Sequence, residues 1–568
     1  MSESTTSQTV SATSLVLIAM IITCGAARHL SAQIMVVLDA KHARSSFKAA
    51  FYGVNGQQRN SLPWDQVATP AMGCPPPTSG FSQALQGLNL GVLRFPAGTG
   101  SNYWDWQTGD FDASSGMKTP SCYVSHLLEL QRELQSASQP SGTQTHALFA
   151  LNILTDPKCT TMCTLSSGSP NEGYQLNLLR KAATDQINID YLELGNEFYL
   201  NNPDYKAVYP TAQDYATEAN KWILDVRKLS GYSSVKIAAV GAHISDPSAT
   251  DRKNSWNRNL MTTLQGADAV TIHVYPGTNL PPGTTSFDPS MAKTMLLVPF
   301  TTWESIVSND LPSLVNLAKN YSPNVWVTEY NLKDTKVAAF GTWAHGLYTA
   351  TLSLLFLENP RIQMAIHHEA QGPSAIYPDI FATACGFDPN ACGKQTTTPC
   401  SGFVTSSWTY PPSGSCMTTA IDGLSATGLT QTEINRATLG QGFAEKLTFP
   451  NAPTFDGSHP QLYGWTFSGS PDNPPKPPQA VILNLSAQSE TVDLATILAG
   501  SAATYRQLYA TGPFFYVSGI VINNGNDYRA YDADGGKREV HVNSGKLSSS
   551  TTLRLPAYSI TRVSIVVP

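Results

Sequence analysis

Eight short apolar or β-branched runs recur along the chain up to residue 368, and this repetition constrains the fold most strongly. Successive runs end 32 to 57 residues apart, which leaves room for a loop and a helix each time. The clearest helical pattern, Thr342–Asn359, repeats apolar residues every three or four positions and stops at Pro360. Strands that alternate with helices predict an α/β fold, a (β/α)8 TIM barrel, with a doubly wound open sheet as the alternative. The predicted strands are Ala49–Asn55, Leu90–Phe95, His146–Asn152, Asp190–Glu197, Val235–His243, Ala269–Tyr275, Val325–Glu329 and Ile362–His368.

The rest of the chain divides around this barrel, which we place at residues 47–454. Residues 372–429 are rich in Pro, Gly, Ser and Thr and carry four cysteines, which predicts a disulfide-pinned loop insertion after the eighth strand. A helix at Thr432–Leu447 is expected to close the barrel. Short strands between turns then predict a C-terminal β-sandwich at residues 455–568, to which residues 33–46 are expected to add a strand.

Residues 1–32 have the pattern of a signal peptide. The apolar run Ser14–Ala27 is shorter than the ~20 apolar residues that span a bilayer. Leu30-Ser-Ala32, just before Gln33, is a plausible cleavage site. We therefore expect a secreted or extracellular protein, with periplasmic and cell-surface locations included, and no membrane contact after leader removal. An uncleaved anchor and a lipoprotein modified at Cys24 are the alternatives.

Eight of the nine cysteines lie outside the leader, and an even number suits a disulfide-bonded secreted protein. Two pairs are close enough along the chain to close small loops, but spacing does not fix the connectivity. The candidates for disulfide bonds are Cys74, Cys122, Cys159, Cys163, Cys385, Cys392, Cys400 and Cys416.

Charge and motif content exclude several functions. The chain has 35 Lys and Arg against 41 Asp and Glu, a net charge of −6, and no strongly basic segment, which argues against nucleic-acid binding. A Gly-x-Ser-x-Gly elbow, a His-Glu-x-x-His pair and a complete phosphate-binding loop are all missing from the sequence. No cofactor is therefore expected, and the oligomeric state stays open.

Two carboxylates follow strands on opposite sides of the predicted barrel. Glu197 ends the fourth strand in Leu-Gly-Asn-Glu, and Glu329 ends the seventh in Val-Thr-Glu-Tyr-Asn. The carboxyl ends of barrel strands form the active site in such folds. A retaining glycosidase needs two carboxyl groups about 5–5.5 Å apart, one as nucleophile and one as acid and then base. Strands three positions apart in an eight-membered ring lie across the mouth, so this gap is reachable for Glu197 and Glu329, and the pair is compatible with a glycosidase that acts on a carbohydrate substrate.

These motifs, in this order, resemble clan A of the glycoside hydrolases, which combines a (β/α)8 barrel with retaining double displacement. The resemblance implies that Glu197 is the acid/base and Glu329 the nucleophile. It implies that Asn196 binds the sugar 2-hydroxyl. It further implies that Tyr275, in Ile-His-Val-Tyr, orients the nucleophile and that Arg94, in Leu-Arg-Phe-Pro-Ala-Gly, lies beside it. His273, a polar residue at the end of the sixth strand, is a further candidate for substrate contact. We also expect the negative charge of Glu329 to raise the pKa of Glu197.

Two families within the clan compete. Tyr52-Gly-Val-Asn-Gly and the sandwich tail resemble the heparanase and β-glucuronidase family, whereas Leu93–Gly98 and Ala350–Ala365 are similar to α-L-arabinofuranosidases. The chain departs from both, because Phe198 replaces a proline and no tryptophan ends the eighth strand. We expect a secreted β-glucuronidase-like or heparanase-like hydrolase, with an α-L-arabinofuranosidase, a β-xylosidase or a non-catalytic carbohydrate-binding protein as alternatives.

Three further strand-end or loop residues are candidate sugar contacts: Asn152, His367 and Trp104. Trp104 lies in an aromatic loop after the second strand, where it is as compatible with loop packing as with sugar stacking. His367 and His368 are adjacent on a strand and are expected to face opposite ways, so they cannot chelate one metal ion together. No metal site is therefore expected. Arg94 has a structural alternative as the partner of Glu193.

Overall fold

The computed structural model describes sixteen stretches of the chain, and the elements below lie within them. These are residues 33–44, 49–56, 85–96, 98–107, 126–138, 144–154, 170–246, 249–282, 284, 287–333, 339–370, 424–469, 476–522, 527–531, 537–548 and 550–566. The predicted leader, most of the predicted insertion at 372–429 and all eight candidate disulfide cysteines lie outside them.

Eight parallel strands form a closed barrel, which confirms the predicted fold and excludes the open sheet. The last barrel strand pairs with the first, with Ala365 beside Tyr52, so the sheet has no free edge. Two strands, β1 (Ile34–Met35) and β2 (Val37–Arg44), precede the barrel. The barrel strands are β3 (Tyr52–Asn55), β4 (Val92–Phe95), β5 (His146–Leu151), β6 (Ile189–Leu194), β7 (Lys236–Val240), β8 (Ala269–Val274), β9 (Asn324–Tyr330) and β10 (Ile362–His367).

The barrel interior changes from apolar to polar along the strands. Val92 and Trp326 belong to a buried apolar cluster inside the barrel. Arg94 lies two residues after Val92 in β4, on the same face of the strand, and binds Glu193 of β6. Thr328 of β9 donates to the same glutamate. The carboxyl half of the barrel therefore holds a buried polar layer above an apolar floor.

Helices surround the barrel, and several begin at a side-chain cap. Thr211 forms a capping box with Asp214, and Thr342 caps the helix that the sequence predicted most clearly. The sequence pattern also predicts a helix at Thr301–Lys319, and the structure begins this helix ten residues earlier, at Met291. The helices are α1 (His126–Ala137), α2 (Pro170–Thr184), α3 (Pro203–Val208), α4 (Ala212–Lys228), α5 (Asp251–Thr263), α6 (Met291–Ser305), α7 (Leu311–Ser313), α8 (Trp343–Leu355), α9 (Ala426–Thr438) and α10 (Ala495–Leu498).

The C-terminal part is antiparallel apart from one short parallel pair, with a nine-stranded sheet facing a three-stranded one. Along one strand of the large sheet, Ala480 and Ile482 join the core shared with the small sheet, while Val481 and Leu483 join the barrel core. This two-residue period packs one face of the large sheet on the barrel and the other on the small sheet. The strands are β11 (Phe443–Thr448), β12 (Leu462–Ser468), β13 (Gln479–Asn484), β14 (Glu490–Asp493), β15 (Ala503–Ala510), β16 (Tyr516–Ile522), β17 (Asp527–Tyr531), β18 (Lys537–Leu547), β19 (Thr552–Leu555) and β20 (Ser559–Ile565).

The closing helix differs from its prediction. We expected Thr432–Leu447 to be helical, but α9 ends at Thr438, and β11 pairs with β12 and β2 in the large sheet. β11 precedes the predicted boundary at residue 454, and the domain limits themselves stay predictions. Within the described stretches, no helix has both the length and the apolar character that crossing a bilayer requires.

Candidate active site

Arg94 lies at the centre of the polar layer and is completely buried. Its Nε donates to Glu193 at 2.6 Å, its Nη1 to Asn55 at 2.6 Å and Glu329 at 2.7 Å, and its Nη2 to Asn196 at 2.7 Å. Burial alone would lower the pKa of this guanidinium, but the two carboxylates outweigh burial and raise it. Arg94 therefore stays charged. From β4 it links polar side chains of β3, of β6 and the turn after it, and of β9 into one hydrogen-bonded network.

Arg94 pairs with both acidic partners that the sequence offered it. One nitrogen of Arg94 donates to Glu193, its structural alternative partner, and another donates to Glu329, the proposed nucleophile. The second oxygen of Glu329 accepts the Tyr275 hydroxyl at 2.5 Å. Arg94 and Tyr275 thus hold the two oxygens of Glu329 from different sides, which fixes the orientation of this carboxylate.

Glu197 reaches the site through a turn that follows β6. Gly195 has φ of 88°, and a Cβ there would stand 2.2 Å from the Phe198 ring, so this position requires glycine. Glu197 itself has φ of 51°, a left-handed conformation that is uncommon for a residue with a side chain. Asn102 fixes the turn, because its side chain binds both the backbone N–H and the backbone carbonyl of Asn196. The turn directs consecutive residues, Asn196 and Glu197, into the same site.

His273 lies between the two catalytic candidates. Its Nδ1 is 3.0 Å from Glu197 and 3.4 Å from Glu329, and its Nε2 is 3.1 Å from the Thr328 hydroxyl. Burial opposes the charged imidazole, but the charge of Glu329 and the hydrogen bonds to Glu193 and Glu197 outweigh burial, raising the pKa of His273 to about 9. At neutral pH the ring is therefore a cation shared by the carboxylates.

This imidazolium reverses the pKa direction that the sequence led us to expect for Glu197. Burial raises the pKa of Glu197 and the Glu329 charge adds to that effect, but the hydrogen bonds from His273 and Tyr199 and the positive charge of His273 lower it below its usual value. Burial also raises the pKa of Glu329, and the charges of His273, His368 and Arg94 together hold it well below the ordinary range. In the free site both carboxylates are ionised, and the proton rests on His273.

Asn196 carries an unused donor. Its side-chain oxygen accepts from Arg94, whereas its Nδ2 is buried and has no partner among the described residues. A buried amide N–H without an acceptor costs free energy unless a ligand supplies one. Next to the two carboxylates, this donor is suited to a substrate hydroxyl.

The structure brings together six of the nine predicted catalytic and substrate contacts. The six are Glu197, Glu329, Asn196, Tyr275, Arg94 and His273. The remaining three lie differently. Asn152 contacts the backbone of Trp104 and Leu154, and the Trp104 ring packs between Phe95 and Phe149 in the core. His367 is fully buried with its ring against Tyr330, and burial lowers its pKa.

Three residues that were not among the nine predicted contacts approach this site. The Tyr199 hydroxyl donates to Glu197 at 2.8 Å. His368 places its Nε2 4.0 Å from Glu329, and its ring meets the edge of Tyr275. Lys333 is exposed, with its Nζ 5.5 Å from the centre of the Tyr275 ring. Tyr199 lies two residues after Glu197, and Lys333 lies four residues after Glu329. This closeness along the sequence is the only signal that could have identified Tyr199 and Lys333.

The arrangement suits acid, base and nucleophile chemistry. One ligating atom each of Glu197, His273 and Glu329 lies within 4.8 Å of the others. Such a group is close enough to hold a cation, but Arg94 and the His273 imidazolium already supply positive charge there. The same closeness allows one carboxylate to attack a carbon while the other protonates its leaving group.

Comparison with known proteins identifies the fold. No family model matches the chain, and no curated protein matches it in sequence. Among solved structures, a family 51 α-L-arabinofuranosidase from Bifidobacterium longum aligns with a TM-score of 0.60 and 12% identity over 94% of this chain and 99% of the other. A GH51 arabinofuranosidase from Xanthomonas axonopodis pv. citri aligns with a TM-score of 0.57 and 13% identity, over 94% and 100%.

A third solved structure carries a different activity on a similar fold. It is a 4-O-α-L-rhamnosyl-β-D-glucuronidase from Fusarium oxysporum, which aligns with a TM-score of 0.50 and 13% identity over 94% of this chain and all of the other. At such low identity these likenesses describe architecture. The chain therefore shares the fold of these solved structures, a (β/α)8 barrel joined to a mainly antiparallel sheet domain.

Proposed function

We propose that this chain is a retaining glycoside hydrolase that cleaves glycosidic bonds in an oligosaccharide or polysaccharide by double displacement. One observation carries the proposal: oxygens of Glu197 and Glu329 lie within 4.8 Å of each other in a buried polar layer at the carboxyl ends of the barrel strands. Retaining enzymes hold their carboxyl groups about 5–5.5 Å apart, whereas inverting enzymes need about 6.5–9.5 Å to admit a water molecule.

In this mechanism Glu329 attacks the anomeric carbon. Its low pKa keeps it ionised, and Arg94 and Tyr275 hold its oxygens in place. The bond to the leaving oxygen breaks as Glu197 protonates that oxygen, which leaves a glycosyl ester on Glu329. Water, deprotonated by Glu197, then cleaves the ester and restores the configuration of the substrate. The unused Nδ2 of Asn196 donates to a sugar hydroxyl in both steps.

His273 supplies the proton that the first step consumes. It carries the proton in the free site and is hydrogen-bonded to Glu197 at 3.0 Å. A bound sugar excludes water and strengthens the influence of Glu329 on Glu197, which favours the neutral carboxylic acid. The proton then moves from Nδ1 of His273 to Glu197 without uptake from solvent.

For the sugar, we favour a uronic acid, as in β-glucuronidases and heparanases. Two basic side chains flank the Tyr275 ring beside Glu329: exposed Lys333 across its face and partly exposed His368 at its edge. Arg94 is held by several acceptors in a closed network. Neither Lys333 nor His368 has such a set of acceptors among the described residues. A carboxylate on the sugar would find a cationic contact at this side of the site.

A neutral pentofuranoside or xyloside is the second candidate. It is supported by the arabinofuranosidase-like motifs Leu93–Gly98 and Ala350–Ala365 and by the arabinofuranosidase folds among the structural matches. Such a sugar has no carboxylate for Lys333, so activity on it should not depend on that side chain. Secretion, signal cleavage and disulfide formation stay predictions, and they suit an enzyme that meets polysaccharides outside the cell.

A panel of aryl glycosides tests both the retaining glycosidase mechanism and the choice of sugar. The panel comprises the β-glucuronide, α-L-arabinofuranoside, β-xyloside and β-glucoside. We expect turnover that Glu329→Gln abolishes, while Glu197→Gln spares substrates whose leaving groups need no protonation. Lys333→Met should reduce kcat/KM for the β-glucuronide by about tenfold or more, equivalent to ~1.4 kcal/mol, and leave a neutral glycoside unchanged. Binding without release of aryl alcohol would instead identify a carbohydrate-binding protein, and normal activity of Glu329→Gln would refute the assignment.

A further inference from the structure

A second polar surface lies on the sandwich, separate from the strand ends that build the barrel site. A groove of about 440 Å³ opens across β15, β18 and β20 of the large sheet. Residues directly opposite in neighbouring strands share one face, so the register places six polar side chains together. They are Thr504, Arg506, Ser544, Lys546, Arg562 and Ser564.

Positive charge exceeds negative charge around this groove. Glu433 of α9 is buried and accepts the Nε of Arg506 at 2.9 Å and the Nε of Arg562 at 2.8 Å. The same carboxylate is also 3.7 Å from Arg436. Lys546 is exposed and forms no ion pair within the described stretches. Four cations against one carboxylate leave an excess of three positive charges, in a chain whose net charge is −6.

The salt bridges to Glu433 do not account for the whole cluster. Arg506 and Arg562 are direct cross-strand partners, and like charges in that position destabilise a sheet. Arg506 uses Nε and Nη2, and Arg562 uses Nε and Nη1, so one terminal nitrogen of each has no acceptor among the residues described. Their side chains are 25% and 19% exposed. The free N–H groups, with Lys546, are therefore open to an acceptor from solution.

We propose that this groove is an accessory binding site for the carboxylate groups of an acidic polysaccharide. Arginine presents planar pairs of donors that match a carboxylate, and the exposed hydroxyls of Thr504 and Ser544 can exchange hydrogen bonds with sugar hydroxyls. The groove volume falls within the roughly 300–1,000 Å³ of ligand sites. The choice of a polysaccharide over other polyanions rests on the proposed function, since a long glycoside can occupy both the groove and the barrel site.

Occupation of the groove gives such a polymer a second attachment point. A chain held there returns to the barrel site at a high effective concentration, which raises the apparent affinity for the polymer without any new contact at the site itself. A small aryl glycoside cannot reach both places. The groove should therefore affect polymer binding and leave aryl glycoside kinetics unchanged.

The test measures polygalacturonate binding by calorimetry, in a Glu329→Gln background that prevents hydrolysis. Lys546→Glu reverses the charge at the exposed edge of the groove, and Lys293→Glu is the matched control, an exposed lysine of α6 with no ion pair in the described stretches. We expect Lys546→Glu to weaken binding by about tenfold, with a Kd that rises with salt, and Lys293→Glu to bind normally. In the otherwise native enzyme, Lys546→Glu should leave aryl glycoside turnover as it was.

Two outcomes would overturn the inference. One is that Lys546→Glu and Lys293→Glu bind polygalacturonate alike, since the groove would then play no part. The other is that a DNA duplex binds as tightly as polygalacturonate and loses its affinity in Lys546→Glu, which would mark a non-specific cationic patch. Failure of the proposed function would appear separately, as absence of turnover on every aryl glycoside. The groove is judged by the ratio of the dissociation constants for polygalacturonate between Lys546→Glu and Lys293→Glu.

Discussion

Replacing Arg94 by methionine tests whether one buried cation maintains the charge balance of the barrel site. The guanidinium binds Glu193 at 2.6 Å and Glu329 at 2.7 Å, and neither carboxylate is more than 4% exposed. Removing one partner of a buried ion pair costs about 3–5 kcal/mol, because the other charge remains buried without compensation. We expect Arg94→Met to lower the free energy of unfolding at pH 7 by at least that amount.

The loss should depend on pH in a definite direction. Burial raises the pKa values of Glu193 and Glu329, but Arg94 and His273, helped at Glu329 by His368, lower both below the usual value. Groups with lowered pKa stabilise the fold above the unfolded pKa of about 4.3 and lose that contribution as the pH falls through the folded pKa. Without the guanidinium, burial favours the neutral acids, so the deficit of Arg94→Met should be largest near pH 7 and shrink toward pH 4.

Urea denaturation followed by tryptophan fluorescence at pH 4, 5.5 and 7 measures this dependence. The matched control is Arg227→Met, since Arg227 is 37% exposed and bound to Asp268 at 2.9 Å. An exposed pair of this kind contributes about 0–1 kcal/mol. An Arg94→Met deficit as small as that of Arg227→Met, or one of equal size at pH 4 and pH 7, would refute the reasoning.

Three further predictions concern single side chains. His273→Gln removes the group that carries the catalytic proton in the free site with a pKa of about 9, so Glu197 has to hold that proton and the alkaline limb of the kcat/KM profile should move to lower pH; an unchanged profile would contradict the role given to the imidazolium. Asn196→Ala deletes the buried donor beside the carboxylates and should reduce kcat by roughly 10²-fold, as the loss of one preorganised donor does elsewhere, and steady-state kinetics on the preferred aryl glycoside would show it. Gly346→Ala places a Cβ 2.6 Å from the Ala426 carbonyl oxygen and should cost about 1–3 kcal/mol, whereas the control Gly173→Ala, in open space on α2, should not lower the melting temperature.

The fold and the catalytic pair were predictable because their signals are local. The barrel strands are short runs rich in apolar and β-branched residues, Glu329 lies at the end of β9, and Glu197 follows β6 by three residues. Parallel strands bring such ends to one side of a barrel, so Glu197 and Glu329 could be paired from sequence alone. The strand that follows α9 was missed, because Phe443–Thr448 continues an apolar pattern that a helix and a strand share over so short a segment.

The eighth strand shows a periodicity that holds and a choice between two neighbouring residues that was wrong. Adjacent residues face opposite ways in a regular strand, so one of His367 and His368 faces the site, and the sequence prediction named His367. The pairing of β10 with β9 shifts register between Ala365 and His367, and it is His368 that approaches Glu329. Met364 and Ile366 lie in the apolar cluster inside the barrel, so His368, two residues further on, faces the same side, and the sequence alone did not show which of the two alternating sets faces inward.

The charge state of Glu197 could not be predicted for a different reason. Two glutamates alone would raise each other's pKa, which is what the sequence suggested. The direction depends on His273, whose Nδ1 lies within 3.4 Å of both carboxylates only because the closed barrel brings the carboxyl ends of β6, β8 and β9 to the same mouth, although β7 separates β6 from β8. Protonation in this site is therefore a property of three strands together.

The identity of the nucleophile is the central claim, and trapping the covalent intermediate tests it most directly. A 2-deoxy-2-fluoro aryl glycoside of the preferred sugar should glycosylate the enzyme in one-to-one proportion with release of the aryl alcohol, and peptide mapping by mass spectrometry should place the sugar on Glu329, in the segment Trp326–Asn331. Glu329→Gln should acquire no label. A sugar attached to another residue, or a first product of inverted anomeric configuration, would contradict the account.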